Sequence, residues 1–317
     1  EEKFCEFWEA ISEENATETD HARGGIFAPP EDISLDYPLS LEVQLIKNCN
    51  WACDFCYVPN RDLSEMKIME FEEVKDIIDE AHRNGLFKFR LSGGEATLHP
   101  DFDEIIEYVS EVGIETVLFT NGSLLDDEQI QMFAEGSVET VLMSLHGPER
   151  VHDELVQREG AFQKVKQSAQ RLDEQGVNVV LESLASAPNA DTLPETAEVV
   201  RDWGLTEYRI MPYIATDLAE MDYAMSFGEI HDQVTTIRQE YPELTVRVPC
   251  APEPCLVTEK DAPLDSDPGL GESYNNHCGA GLLWASVSHD GHIRHCPHSG
   301  VYAGHIDEGD DMIKTVW

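Results

Sequence analysis

Residues 87–113 read FKFRLSGGEATLHPDFDEIIEYVSEVG. FKFRLS (87–92) has the composition of a strand, and DFDEIIEYVSEVG (101–113) that of an amphipathic helix opened by Asp101 and closed by Gly113. Between them lies Gly93-Gly94-Glu95. The same strand-then-helix grammar extends in both directions. Upstream stand the strand LEVQLI (41–46) and the helix FEEVKDIIDEAHRNG (71–85), closed by Gly85. Downstream come a strand at 116–120, a helix near 126–134 and a strand at 139–145. A helix at 160–176, a strand at 177–185, a helix at 193–204 and a strand at 207–212 complete the series.

Short loops between alternating strands and helices imply parallel pairing with right-handed crossovers. Six such units, fewer than eight, predict an α/β fold built as a partial (β/α)6 TIM-like barrel, with function at the C-terminal ends of the strands. A doubly wound open sheet is the alternative. The polar residues 1–40 read as an N-terminal arm, 41–212 as the partial barrel and 213–317 as a separate C-terminal element. That last part holds a helix near 226–241 and a hairpin over 284–296 that turns at Asp290-Gly291.

Composition narrows the function. The 317-residue chain carries 63 acidic and 21 basic residues, a formal net charge of -42. Acidic residues spread over the whole length point to adaptation to a salt-rich cytoplasm, where screening acts over about 8 Å or less. Nucleic-acid binding is not expected, because phosphate neutralisation needs a basic surface. No apolar run reaches the roughly 18 residues of a membrane span, and no signal peptide is visible. Eight cysteines in clusters fit metal or redox chemistry in a reducing compartment, so a cytoplasmic location is expected.

Three of those cysteines, Cys49, Cys53 and Cys56, stand as C-x3-C-x2-C directly after the first strand. Thiolates so spaced can wrap a soft metal or an iron–sulfur cluster, and three of them on a four-iron cluster leave one iron open. A structural zinc knuckle with a distant fourth ligand is the alternative. Gly93-Gly94 lets backbone approach a ligand closely, and Glu95 can accept hydrogen bonds from an ammonium group. TNGSLL (120–125) and SLHGPERVHD (144–153) follow at the ends of the third and fourth strands.

The triplet, with Phe55 in an aromatic position beside the third cysteine, resembles the signature of the radical SAM superfamily. Gly93-Gly94-Glu95 resembles that family's GGE motif, and the two later strand ends resemble family segments near S-adenosylmethionine (SAM). The resemblance implies a [4Fe–4S] cluster on Cys49, Cys53 and Cys56, with SAM on its open iron. It further implies SAM contacts from Phe55, Gly93, Gly94, Glu95, Asn121, Ser144 and Arg158. Asn121 has ordering of its loop as an alternative role, and Arg158 has that of a surface charge. Reductive cleavage of SAM to a 5′-deoxyadenosyl radical, followed by abstraction of a substrate hydrogen, is the implied chemistry; a ferredoxin or flavodoxin would supply the electron.

Cys250, Cys255, Cys278 and Cys296 remain, with Cys5 left over as a free thiol. The run from Cys278 through Gly291 to Cys296 and on to IKTVW (313–317) resembles the first half of a SPASM extension, the auxiliary-cluster module of peptide-modifying relatives. It implies a second, auxiliary [4Fe–4S] cluster on these four cysteines in a shorter, twitch-like arrangement. Zinc on the same residues is the alternative. The expected substrate is a peptide, to be crosslinked, epimerised or oxidised. A small molecule of cofactor or sugar biosynthesis is the second expectation, and a non-enzymatic metal-binding or electron-transfer protein the third.

Overall fold

The computed structural model describes residues 35–56, 64, 66–213, 222–249 and 279–317. The expected arm at 1–40 therefore lies almost wholly outside the described residues, as do Cys5, Cys250, Cys255 and Cys278. One ten-stranded sheet organises the rest. Strands β1 (Ser40–Ile46), β2 (Lys88–Gly93), β3 (Thr116–Thr120), β4 (Val138–Ser144), β5 (Asn178–Ala185) and β6 (Glu207–Pro212) lie side by side in chain order. Every neighbouring pair among them is parallel. The α/β fold with a parallel sheet, expected from the alternation of elements, is what the chain forms.

The connecting helices are α1 (Phe71–Arg83), α2 (Phe102–Val112), α3 (Asp127–Glu135), α4 (Glu149–Leu155), α5 (Ala161–Glu174) and α6 (Leu193–Asp202). Their boundaries follow local chemistry. In α1, Val74, Ile77, Ile78 and Ala81 are buried at the i, i+3, i+4, i+7 spacing of one helical face. Glu70 and Glu73 form its capping box, and Asn84 stops it one residue before Gly85, which adopts φ +72°. In α3, Asp126 accepts the Gln129 N–H at 2.9 Å.

Two elements go beyond the sequence reading. Helix α4 begins inside SLHGPERVHD, runs two residues past it and buries His152 and Leu155. The strand–helix rhythm also continues past residue 212, the expected end of the barrel. Helix α7 (Phe227–Glu240), capped by Ser226, leads into β7 (Thr245–Arg247), a seventh parallel strand on the free edge of β6.

At the other edge, the expected hairpin forms from β8 (Trp284–Val287) and β9 (His292–Arg294), and β10 (Gly304–His305) pairs with β9. Strand β8 lies parallel to β1, with Leu41 opposite Ala285 and Val43 opposite Val287. Residues after 213 thus extend the same sheet on both edges, so the boundary at 212–213 does not fall at a sheet edge. A short helix, α8 (Met312–Val316), closes the chain. No helix among the described residues is long and apolar enough to cross a membrane.

Side-chain alternation gives the sheet two different faces. Leu41, Val43, Phe89, Leu91, Val141 and Leu181 join the main core with the helices. The opposite, inner face holds a small apolar cluster of Val117, Leu142 and Val180. It also holds buried polar groups, among them Glu42, Gln44 and Ser92.

Candidate active site

The C-terminal edge of β1 and β2 builds the first part of the site. The strands are in register until Gln44, then slip so that Ile46 faces Gly93. Past the slip the two chains touch backbone to backbone: Gly94 N–H donates to Ile46 O at 2.7 Å and Glu95 N–H to Asn48 O at 2.9 Å. A Cβ on Gly94 would lie 2.2 Å from Asn48 O and 2.5 Å from Lys47 O; one on Gly93, at φ +144°, would lie 2.4 Å from Ile46 O. The sequence reading gave these glycines a close approach to a ligand. The close approach seen here is to the backbone that leads into Cys49, so the glycines fix where the cysteine loop begins.

Glu95 extends that clamp to the third strand. Its carboxylate is buried and accepts hydrogen bonds from Thr120 Oγ1 (2.6 Å), Thr97 Oγ1 (2.7 Å), Thr97 N (3.2 Å) and Asn121 N (2.7 Å). Three of these fall on Oε1 and one on Oε2, so Oε2 keeps capacity to accept another donor. Burial raises the Glu95 pKa, against the lowering effect of its four donors.

Asn121 then ties the end of β3 to the cysteine loop. Its Nδ2 donates to Asn50 Oδ1 at 2.8 Å and lies 4.0 Å from Cys49 Sγ, while its Oδ1 accepts from Ser123 N and Oγ. Asn50 Nδ2 donates in turn to Ser123 Oγ at 2.9 Å. Loop ordering, the simpler of the two roles expected for Asn121, is the one these bonds describe.

The remainder of the loop rests on α4 and the end of β4. Ala52 N–H donates to Val156 O and Asp54 N–H to Leu155 O, each at 3.1 Å, and Gln157 Nε2 bonds Asp54 Oδ1. Trp51 meets His152 edge-on at 5.4 Å, Phe55 meets His146 edge-on at 4.6 Å, and the two imidazoles stack at 5.8 Å. Asp153 holds the turn below, accepting from Gly160 N (2.6 Å) and Phe162 N (2.8 Å). Burial pushes His152 down to about 3 and His146 well below the ordinary imidazole value, so both rings are neutral.

Cys49, Cys53 and Cys56 are half-buried thiols, not disulfides. Among the described residues no group of three or more His, Cys, Asp and Glu side chains is placed to hold a single metal ion. The donor set does fit an iron–sulfur cluster. All three ligands are thiols, and Cys49 Sγ receives the Trp51 N–H at 3.4 Å beside the Asn121 amide. Without metal, burial pushes Cys49 up to about 12, with Glu95 and Cys56 adding to the rise. A cationic cluster would offset that cost.

Ser144 is half-buried where β4 ends, opposite Glu182 of β5. Arg158 is exposed in the turn between α4 and α5, where its N–H donates to Asp153 O at 3.0 Å and its O accepts the Ala161 N–H at 3.2 Å. Cys296 follows β9 and is half-buried. The calls on Cys250, Cys255 and Cys278 lie outside the described residues.

Sequence reasoning named neither Thr97, Thr120 and Asn50 nor His146 and His152, although three of these stand in the quoted segments TNGSLL and SLHGPERVHD. Glu182 sits where β5 crosses the inner face, opposite Ser144. On the inner face that carboxylate meets Arg209 of β6, with Nη2 to Oε2 at 3.2 Å and side chains 23% and 20% exposed. Burial raises the Glu182 pKa, while Arg209 and then Arg90 lower it.

Replacing Arg209 with Met leaves a mostly buried carboxylate without its partner. The expected cost at pH 8 is about 3 kcal/mol, the low end for breaking a buried pair. A raised carboxylate pKa destabilises the fold above that pKa and ceases to do so as the group protonates. The deficit should therefore shrink as pH falls from 8 towards 5. Urea midpoints at the two pH values check this, and a deficit independent of pH would assign the loss to packing alone.

Comparison with known proteins agrees with this geometry. The Radical SAM superfamily matches residues 43–202, half of the chain. AdoMet-dependent heme synthase of Methanosarcina barkeri is 24% identical over 296 residues, covering 88% of this chain and 82% of the relative. Mycofactocin maturase MftC of Mycolicibacterium smegmatis is 27% identical over 298 residues, covering 89% and 71%. Streptococcus suis SuiB shares the fold at 18% identity. Its S-adenosylmethionine-bound structure gives a TM-score of 0.69 and its complex with precursor peptide SuiA one of 0.74. These alignments cover 83% and 89% of this chain but only 61% and 65% of SuiB, under two thirds of its length. Matched over the strands that carry the cysteine loop and its Gly-Gly-Glu clamp, the chain belongs to the radical SAM superfamily.

Proposed function

We propose that this radical SAM enzyme modifies a peptide, by crosslinking, epimerising or oxidising one of its residues. The carrying observation is the cysteine loop, clamped by Gly93, Gly94 and Glu95 and offering three thiols, Cys49, Cys53 and Cys56. Cys49, Cys53 and Cys56 would hold a [4Fe–4S] cluster, with SAM completing it. When bound and reduced, that cluster supplies the electron that cleaves SAM to methionine and a 5′-deoxyadenosyl radical, which takes a substrate hydrogen. The protein's own groups set the loop, through Glu95 and Asn121, and line the inner face on which a substrate would lie.

The peptide reading draws on two supports. One is the SPASM-like run over 278–317, with an auxiliary cluster on Cys250, Cys255, Cys278 and Cys296. The other is the likeness to the mycofactocin maturase, which at 27% exceeds that to the heme synthase over a similar span. A small-molecule substrate is the second reading, favoured by the 82% coverage of AdoMet-dependent heme synthase. A ferredoxin or flavodoxin is the proposed electron donor.

The test is anaerobic reconstitution and reduction, followed by addition of SAM. The expected products are methionine and 5′-deoxyadenosine, and roughly eight irons per chain for two clusters. Protein with intact clusters that forms no 5′-deoxyadenosine would overturn the proposal. Faster 5′-deoxyadenosine release with a peptide encoded beside the gene supports the peptide reading; the same response to a tetrapyrrole and not to peptide supports the second.

A further inference from the structure

The 63 acidic residues outnumber the 21 basic ones three to one, so a basic side chain rarely lacks a carboxylate within reach. Arg83, Lys88, Arg171, Arg209 and Arg247 each pair with one across a tertiary contact. Among the described residues Lys47, Lys67 and Arg294 form no ion pair, and the three stand along one seam. Lys47 follows β1, two residues before Cys49, and its N–H donates to Lys67 O at 2.8 Å. Lys67 N–H donates to Asn48 Oδ1 at 2.8 Å, so both lysines are fixed to the start of the cysteine loop. Strand β8 runs parallel to β1 with Val43 opposite Val287, which brings the β8–β9 turn up beside that loop. His289 in this turn senses all three cations. Burial lowers its pKa, Asp290 opposes the shift, and Lys47, Arg294 and Lys67 add to it. Asp290 is itself engaged by Ser288 Oγ at 2.5 Å and by His292 Nδ1 at 3.2 Å. Arg294 ends β9, two residues before Cys296, with its guanidinium 4.9 Å from the centre of the Tyr302 ring. Lys67 is exposed, and Met66, Val301 and Tyr302 add exposed apolar surface.

We propose that this seam is the docking surface for an acidic one-electron carrier of the ferredoxin or flavodoxin kind. The inference rests on the radical SAM reading above and gives its electron donor a place on the molecule. Charge selects the partner. A surface with a net charge of -42 repels an acidic protein over most of its extent and attracts it only where unpaired cations gather, so the two effects together orient the encounter. Screening over about 8 Å confines both to near contact in salt. Arginine, methionine and tyrosine side by side are also the residue types enriched where proteins meet. The place suits the task, because the seam joins the loop of Cys49, Cys53 and Cys56 to the hairpin that leads to Cys296. One electron would leave the reduced carrier and enter the oxidised enzyme; no atom is transferred, and the carrier departs oxidised by one electron.

The probes are a recombinant [2Fe–2S] ferredoxin, a recombinant flavodoxin and sodium dithionite. Lys67→Glu reverses an exposed charge of the seam, and Arg294→Gln, added to it, removes a second charge while keeping a polar side chain. Lys164→Glu, on α5, makes the same change in net charge as Lys67→Glu but away from the seam. Dissociation constants of the oxidised carriers for the oxidised, reconstituted enzyme are measured by calorimetry at low and high salt, where no turnover occurs. Formation of 5′-deoxyadenosine is followed with each reductant, and iron is counted. At low salt the better carrier is expected to bind about fivefold more weakly to Lys67→Glu and about twentyfold more weakly to the double variant. Binding to Lys164→Glu should stay within about twofold of wild type, and the differences should shrink at high salt. Iron and dithionite-driven SAM cleavage should match wild type in all three. Wild-type carrier binding by the double variant, or an equal loss in Lys164→Glu, would overturn the proposal. So would loss of iron or of dithionite-driven cleavage in Lys67→Glu, which would make the seam a support for the cysteine loop only. A wild-type enzyme that cleaves SAM with dithionite but binds neither carrier would overturn it as well. A wild-type enzyme with intact clusters that forms no 5′-deoxyadenosine even with dithionite would instead refute the proposed function.

Discussion

Gly94→Ala is expected to lower stability by more than about 3 kcal/mol and to deprive the protein of most of the iron bound near Cys49. The added methyl would lie 2.2 Å from Asn48 O, 2.5 Å from Asn48 C and 2.5 Å from Lys47 O. All three are backbone atoms, so no side chain can turn away to make room, and the overpacking cost lies at or above the usual 1–3 kcal/mol. Relief requires the end of β2 and the start of the cysteine loop to separate. That movement breaks the Gly94 N to Ile46 O and Glu95 N to Asn48 O hydrogen bonds and shifts Cys49 relative to Asn121. Gly113→Ala is the control. Gly113 has φ +83° but no atom within 4 Å of an added Cβ, so only backbone strain of about 1–2 kcal/mol is expected, with wild-type iron. Thermal melting and iron analysis check both. A Gly94→Ala protein with wild-type melting and iron would show that the contact is not a clamp.

Strands β1 to β6 and their main helices were legible because each buries an apolar stripe at its own period. Val74, Ile77, Ile78 and Ala81 are an instance that needs no partner information. Helix α4 was not, since it is seven residues long and one of its two buried side chains is a histidine. Strand β7 escaped because it spans three residues in a stretch bounded by Pro242 and Pro249. The parallel pairing of β8 with β1 joins segments more than two hundred residues apart, and alternation tells which face is buried but not which strand lies alongside.

In the site, Cys49, Cys53 and Cys56 announce themselves because thiols at that spacing have few bland uses, whereas Glu95 draws its reading from the motifs around it. Thr97, Thr120 and Asn50 do not, since short polar side chains at loop ends serve many purposes and only coordinates show which one. Glu182 is intermediate. A carboxylate in the mostly apolar run VVLESLA is itself a signal of a polar inner face, but its partner Arg209 is on the next strand.

The second large effect separates the two proposed clusters. Cys53→Ala removes one of three thiols from a loop whose backbone is held independently, by Ala52 and Asp54 on the end of α4 and by Trp51 on His152. The fold should therefore survive, with a melting temperature within a few degrees of wild type. The cluster should not, because two thiolates hold a cubane poorly when SAM binding already requires one open iron. Iron is expected to fall by about four per chain and SAM cleavage to the uncatalysed background, since the cofactor carries the chemistry. Cys296→Ala offers the contrast. Cys296 follows β9 at the opposite edge of β1 from β2 and shares no ligand with the triplet in the proposed assignment. Its loss should also cost about four irons yet leave far more substrate-free SAM cleavage than Cys53→Ala. If both variants lost SAM cleavage and the same irons, the division into an open cluster for chemistry and a closed one for electrons or structure would be wrong. If Cys296→Ala kept all its iron and lost one zinc, the C-terminal cysteines would form a structural zinc site, and only the triplet would carry iron.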